Sequence, residues 1–131
     1  MMQKVSQIGM VVIFLLTIVF HLLVLVKIIP YGIVWGGRLQ SDSQMYKFEA
    51  TSIAINLLFM MIILVKSGYL KIRISPLIIR IFLWLMTGLF LLNTIGNLLS
   101  DNHLERIIFT PVTIILSIFG FVLAVSKSQK Q

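Results

Sequence analysis

From Ile8 to Val26 the chain runs for 19 residues with His21 as its only ionisable side chain, and three further apolar runs follow it. At a helical rise of 1.5 Å per residue, about 20 apolar residues cross the ~30 Å of hydrocarbon in a bilayer. The runs Ala50 to Val65, Pro76 to Leu99 and Ile107 to Val125 meet that requirement once the second is extended backwards by a helical turn or two. A soluble fold would have to hide these surfaces in one small core, and the composition does not allow it. Of 131 residues, 59% are hydrophobic and 11% charged, against roughly 45–50% apolar and 25% charged in soluble domains. The expectation is an all-α integral membrane four-helix bundle, one domain over 1–131, with spans at about 8–29, 43–65, 76–99 and 105–125. A cleaved signal peptide fits the first run poorly, because signal peptides have a hydrophobic stretch of ~7–15 residues ending in a small-x-small site. Here the run ends in Lys27-Ile28-Ile29-Pro30.

Charge sets an expected orientation. Lys4, Lys66, Lys71, Arg73, Arg80, Lys127 and Lys130 fall on the side of the termini and second loop, with no acidic residue among them. The other side carries Lys27, Arg38, Lys47 and Arg106 together with all four carboxylates, Asp42, Glu49, Asp101 and Glu105. Positive residues favour the cytoplasmic face, so the chain is expected in the cell membrane as a multi-pass, bacterial-type inner-membrane protein with both termini cytoplasmic. The net charge of +7 is then a topology signal, and no nucleic-acid partner is expected.

Local signals mark the helix boundaries. Ser41 with Gln44 and Asn102 with Glu105 have capping-box spacing. Ser75-Pro76 reads as a cap followed by a first-turn proline, and Pro111 should kink the fourth helix or give it a second start at Thr110. Thr110, Thr113, Ser117, Gly120 and Ala124 form a small-residue face for close helix packing, with Leu123 read as lipid-facing.

Several function classes drop out. With no cysteine there is no disulfide, thiol relay or cysteine-based metal site. Proton-coupled exporters of the small multidrug type share the size and span number but rely on a carboxylate in the first helix, which is lacking here. His21 and His103 are the only histidines and His103 lies in a polar loop, so neither haem nor metal is expected. No nucleophile–base pair is recognisable, so no catalytic residue is assigned.

What remains is the stretch Lys27 to Glu49, whose residues are not explained by life in lipid. It holds a partly irregular outer loop, 30–42, with Tyr31, Trp35, Gly36-Gly37 and Arg38. Polar side chains in the spans gather in the same outer half: His21, Ser52, Asn56, Asn93, Asn97, Thr110 and Thr113. Glu49, Ser52 and Asn56 share one stripe of the second helix, and Asn93 and Asn97 one stripe of the third. Two readings follow. In one, His21, Arg38, Glu49, Ser52, Asn56, Asn93 and Asn97 line a pocket for a small molecule or lipid headgroup beneath the loop. In the other, the chain is a non-catalytic accessory subunit whose Tyr31, Trp35 and Arg38 touch a larger membrane-protein partner. Membrane lipids surround it in both.

Overall fold

The computed structural model describes residues 1–126. The chain forms α1 (Met2–Leu25), α2 (Asp42–Lys66), α3 (Pro76–Leu98) and α4 (Thr110–Val125), the last preceded by a π-helical stretch, Glu105–Phe109. No strand occurs among the described residues, and four helical segments are long and apolar enough to cross a membrane, the fourth counted from Glu105. The helices run up and down. The α1–α2 and α3–α4 connections therefore share one end, the lid end, and the N-terminus, the α2–α3 connection and the end of α4 share the other, the terminal end. Lys127 and Lys130, used above in the charge argument, lie outside the described residues.

The first helix differs from the expected 8–29 at both ends. It starts at Met2, and it stops at Leu25 because Lys27 takes a left-handed conformation, φ 62°. The Lys27 amide then donates to Val24 O at 2.9 Å and the Ile28 amide to Leu23 O at 2.9 Å, the paired bonds of a Schellman terminus. Residues 26–29 therefore belong to the connection. The end of α2 repeats the device with Gly68, φ 77°. At Lys27 the strained residue is held from outside: its ammonium lies 2.5 Å from Asp42 Oδ2 and 5.6 Å from the centre of the Tyr46 ring. The hydrogen bond to Asp42 raises the Lys27 pKa above the ordinary lysine value. Its stabilising effect is thus complete below that value and is lost only as pH rises through the elevated one. Among the described residues nothing lies within 4 Å of a Cβ added at Gly68, so Gly68→Ala isolates the backbone cost of the left-handed turn, about 1 kcal/mol. Thermal melts in detergent should show that loss. Lys27→Gly, which removes an exposed ion pair but relieves the same strain, should leave the melting temperature unchanged or higher.

The other boundaries follow their local chemistry. Ser41 Oγ accepts from the Gln44 amide at 3.3 Å, and Gln44 Oε1 returns a bond to the Gln40 amide at 2.9 Å, closing the box one residue early. Pro76 starts α3 at its first helical position as expected, whereas Ser75 before it makes no side-chain capping bond. Only half of the Asn102–Glu105 pair forms: Asn102 Oδ1 caps the helix start by accepting from the Leu104 amide at 2.9 Å, while Glu105 gives no return bond and instead accepts from the Gly36 amide of the lid. Pro111 acts as the expected second start. It has no N–H to donate, and the widened turn before it lets the Thr110 amide bond Glu105 O instead.

The most extensive seams are α3 on α4 and α1 on α2, with α1 on α4 next and α2 on α3 slight. At the centre Phe14, Phe59 and Phe90 pack ring to ring, with centroids 5.9–6.3 Å apart, and hold α2 and α3 apart. Met10, Ile63, Leu83, Met86 and Leu116 fill the space around them. The small-residue face of α4 lies against α3: Ser117 Oγ donates to Thr87 O at 3.1 Å, and Gly120 is buried against Thr87. Leu123 is fully buried in the central core, not on the outside as expected, since α4 packs on both α3 and α1.

Candidate functional site

The connection at the lid end, 26–41, contains two short 3-10 turns, Tyr31–Ile33 and Trp35–Gly37. They fold back over the bundle because three consecutive residues, Trp35, Gly36 and Gly37, have φ between 56° and 69°. A tryptophan in that region is strained and persists only where its surroundings fix it. Val24, Val34, Leu39 and Met45 are buried together beneath the lid, with Tyr31 half-buried at their edge.

Two buried glutamates do the fixing. Glu49, two turns into α2, has no exposed surface. Its Oε2 lies 2.6 Å from His21 Nδ1 on α1, and its Oε1 accepts from the Trp35 indole N–H at 2.9 Å. With the carboxylate as acceptor, the imidazole donates through Nδ1. Glu105, 6% exposed, accepts from the Gly36 amide at 2.8 Å and from Ser100 Oγ at 2.5 Å. Beside it the Asn102 side chain donates to Ile33 O at 2.8 Å. The lid is thus held from both sides, by the α1–α2 pair through Trp35 and by the segment just before α4 through Gly36 and Ile33.

Of the seven residues expected to line a pocket, the structure brings together only His21 and Glu49. Asn56 turns its amide back to Ser52 O on its own helix at 2.8 Å, and Ser52 is buried. Asn97 faces Thr113 Oγ1 at 3.4 Å, joining the Thr94–Thr113 contact of 2.9 Å between α3 and α4. Asn93 sits on the exposed face of α3. Arg38 is exposed, and its side chain forms no hydrogen bond or ion pair among the described residues. Trp35 presents one side outward, 40% exposed, packed edge-on against Phe48. His103 is exposed.

Sequence reasoning missed Ser100, Asn102 and the lid role of Glu105. A signal was present: Glu49 and Glu105 are the only glutamates in the chain, and each stands at the mouth of an apolar helix at the same end. Compared with family models, curated proteins and solved structures, this chain matches none of them.

Proposed function

We propose that the chain is a bacterial-type inner-membrane protein of four spans, with both termini cytoplasmic, and that it acts as a non-catalytic accessory subunit presenting its lid to a larger membrane protein. The observation that carries this reading is where the buried carboxylates spend their bonds. Glu49 and Glu105 accept from Trp35 and Gly36 of the lid itself, so they hold a surface in shape. That surface exposes Arg38 and one side of Trp35, residue types that dominate protein interfaces. The orientation is supported by the gathering of all four carboxylates at the lid end and by the basic side chains of the terminal end. The pocket reading keeps one observation in its favour, the buried Thr110 hydroxyl, which has no partner among the described residues.

One set of cells tests both parts. Cysteines at Ser43 and His103 should react with an impermeant maleimide in intact cells, while one at Tyr69 should not; labelling at Tyr69 alone inverts the orientation. A photo-crosslinker at Gly32 should yield one defined membrane-protein adduct, and Arg38→Ala should weaken that association by about 2 kcal/mol, roughly thirtyfold. An adduct unchanged by Arg38→Ala, together with a small molecule retained by the purified protein and lost in Asn97→Leu, would replace the accessory reading with the pocket.

A further inference from the structure

The terminal end holds a cavity of about 240 Å³ between the end of α2, the start of α3 and the last turn of α4. It opens where α2 and α3 barely touch. Leu77, Ile79, Leu83 and Ala124 give it apolar walls, and among the described residues Lys66 and Arg80 are the two charged ones that line it. Arg80 is exposed, whereas Lys66 is 8% exposed, and its one hydrogen bond among the described residues is to Ser126 O at 3.3 Å. An ammonium has three donors. No carboxylate pairs with it among the described residues, since all four stand at the lid end.

A lysine in the last turn of a helix is ordinarily explained by the helix dipole and by water beyond it. That account does not cover a cation this deeply buried, sharing a cavity with a second cation, because burial and like-charge repulsion both disfavour it. Both penalties fall if an anion enters. The start of α3 adds to the attraction: Pro76 and Leu77 line the cavity, and the first turn of a helix carries free amides and the positive end of its dipole. Two more donors without partners among the described residues, Gln3 Nε2 and Gln7 Nε2, are buried at the same end of the bundle.

We propose that this cavity binds the phosphate of an anionic lipid headgroup, with Lys66 and Arg80 on the phosphate oxygens and Leu77 and Leu83 against the glycerol and the start of an acyl chain. The inference rests on the membrane insertion proposed above, and not on the role of the lid. The apolar walls distinguish a lipid from a free anion, for which they would supply nothing.

The test uses the full chain, delipidated in detergent and then returned to vesicles of phosphatidylcholine alone or with phosphatidylglycerol. Protein that leaves phosphatidylcholine vesicles in an alkaline wash would overturn the membrane reading. Protein that stays allows the site to be judged by itself. Native mass spectrometry should show phosphatidylglycerol bound at least tenfold more tightly than phosphatidylcholine. Lys66→Met, similar in length and without charge, should abolish the preference. Arg80→Gln, an exposed change that leaves the bundle folded, should reduce it severalfold. Equal binding of the two lipids by the wild type, or an undiminished preference in Arg80→Gln, would overturn the proposal. Displacement of phosphatidylglycerol by millimolar inorganic phosphate would assign the site to a free anion and overturn the lipid.

Discussion

Glu49→Leu should release the lid and destabilise the lid end by about 3–5 kcal/mol, while Glu49→Gln should cost a third of that or less. Leucine suits the helix but leaves the His21 and Trp35 donors without an acceptor, and each unsatisfied buried donor costs roughly 1–3 kcal/mol. Glutamine keeps Oε1 as an acceptor for the indole. Its amide can donate to Nδ1 once the imidazole moves its proton to the other nitrogen. The lid reports the difference directly, because Arg38 lies within it and is a trypsin site. In Glu49→Leu the left-handed Trp35 loses its tether at 2.9 Å, so cleavage after Arg38 should accelerate at least tenfold over wild type and Glu49→Gln. If all three proteins are cut at the same rate, the carboxylate is not what holds the lid.

Gly120→Leu should be comparably severe for a different reason. A Cβ at this position would stand 2.8 Å from Thr87 Oγ1 and 3.4 Å from Thr87 N. The hydroxyl has little freedom to retreat, since it is bonded to Leu83 O at 2.9 Å, and the amide is part of the α3 backbone. The two helices must therefore separate, at about 3 kcal/mol or more for leucine, with Gly120→Ala intermediate. Leu123→Ala is no control, because truncating a fully buried leucine costs about 2–5 kcal/mol. Ile118, 53% exposed on the other side of α4, is the appropriate comparison, and Ile118→Ala should stay within about 0.5 kcal/mol of wild type. Melting temperatures in one detergent decide the matter: a Gly120→Leu protein as stable as Ile118→Ala would remove the close α3–α4 contact from the account.

The four helices and most of their ends were legible because their causes are local. A run of apolar residues, a serine before a proline, and a proline early in a helix each act within a turn or two of themselves. The polar site was only half legible. Its members were identified as residues of the outer half, but their partners were not, since His21 and Glu49 are 28 residues apart and nothing in periodicity links them. The stripe Glu49, Ser52, Asn56 is real as a stripe, but a stripe alone does not make a pocket wall. In an apolar helix an asparagine can satisfy its amide on the carbonyl four residues back, as Asn56 does, and then needs no cavity. The Asn93–Asn97 pair divides for a geometric reason. Residues four apart differ by about 40° around a helix, and the edge of the α3–α4 seam falls between them, leaving Asn93 exposed and Asn97 on Thr113. Glu105 was read as a cap because its spacing from Asn102 allowed it, whereas a buried lid amide offered a better-placed donor.

The bonds from Gly36 to Glu105 and from Asn102 to Ile33 each join residues 69 positions apart. During synthesis the lid therefore emerges long before Asn102 and Glu105, and once α1 and α2 pair, Glu49 can hold Trp35 while Gly36 and Ile33 still lack their partners. Closing so long a loop is entropically costly and comes late unless other contacts shorten it. Here α1 on α4 is the seam that does so. The shape of the lid is consequently a record of assembly. A chain interrupted before Glu105 would make its first hairpin but not this outer surface, and anything that recognises the surface would meet only molecules whose final helix is in place.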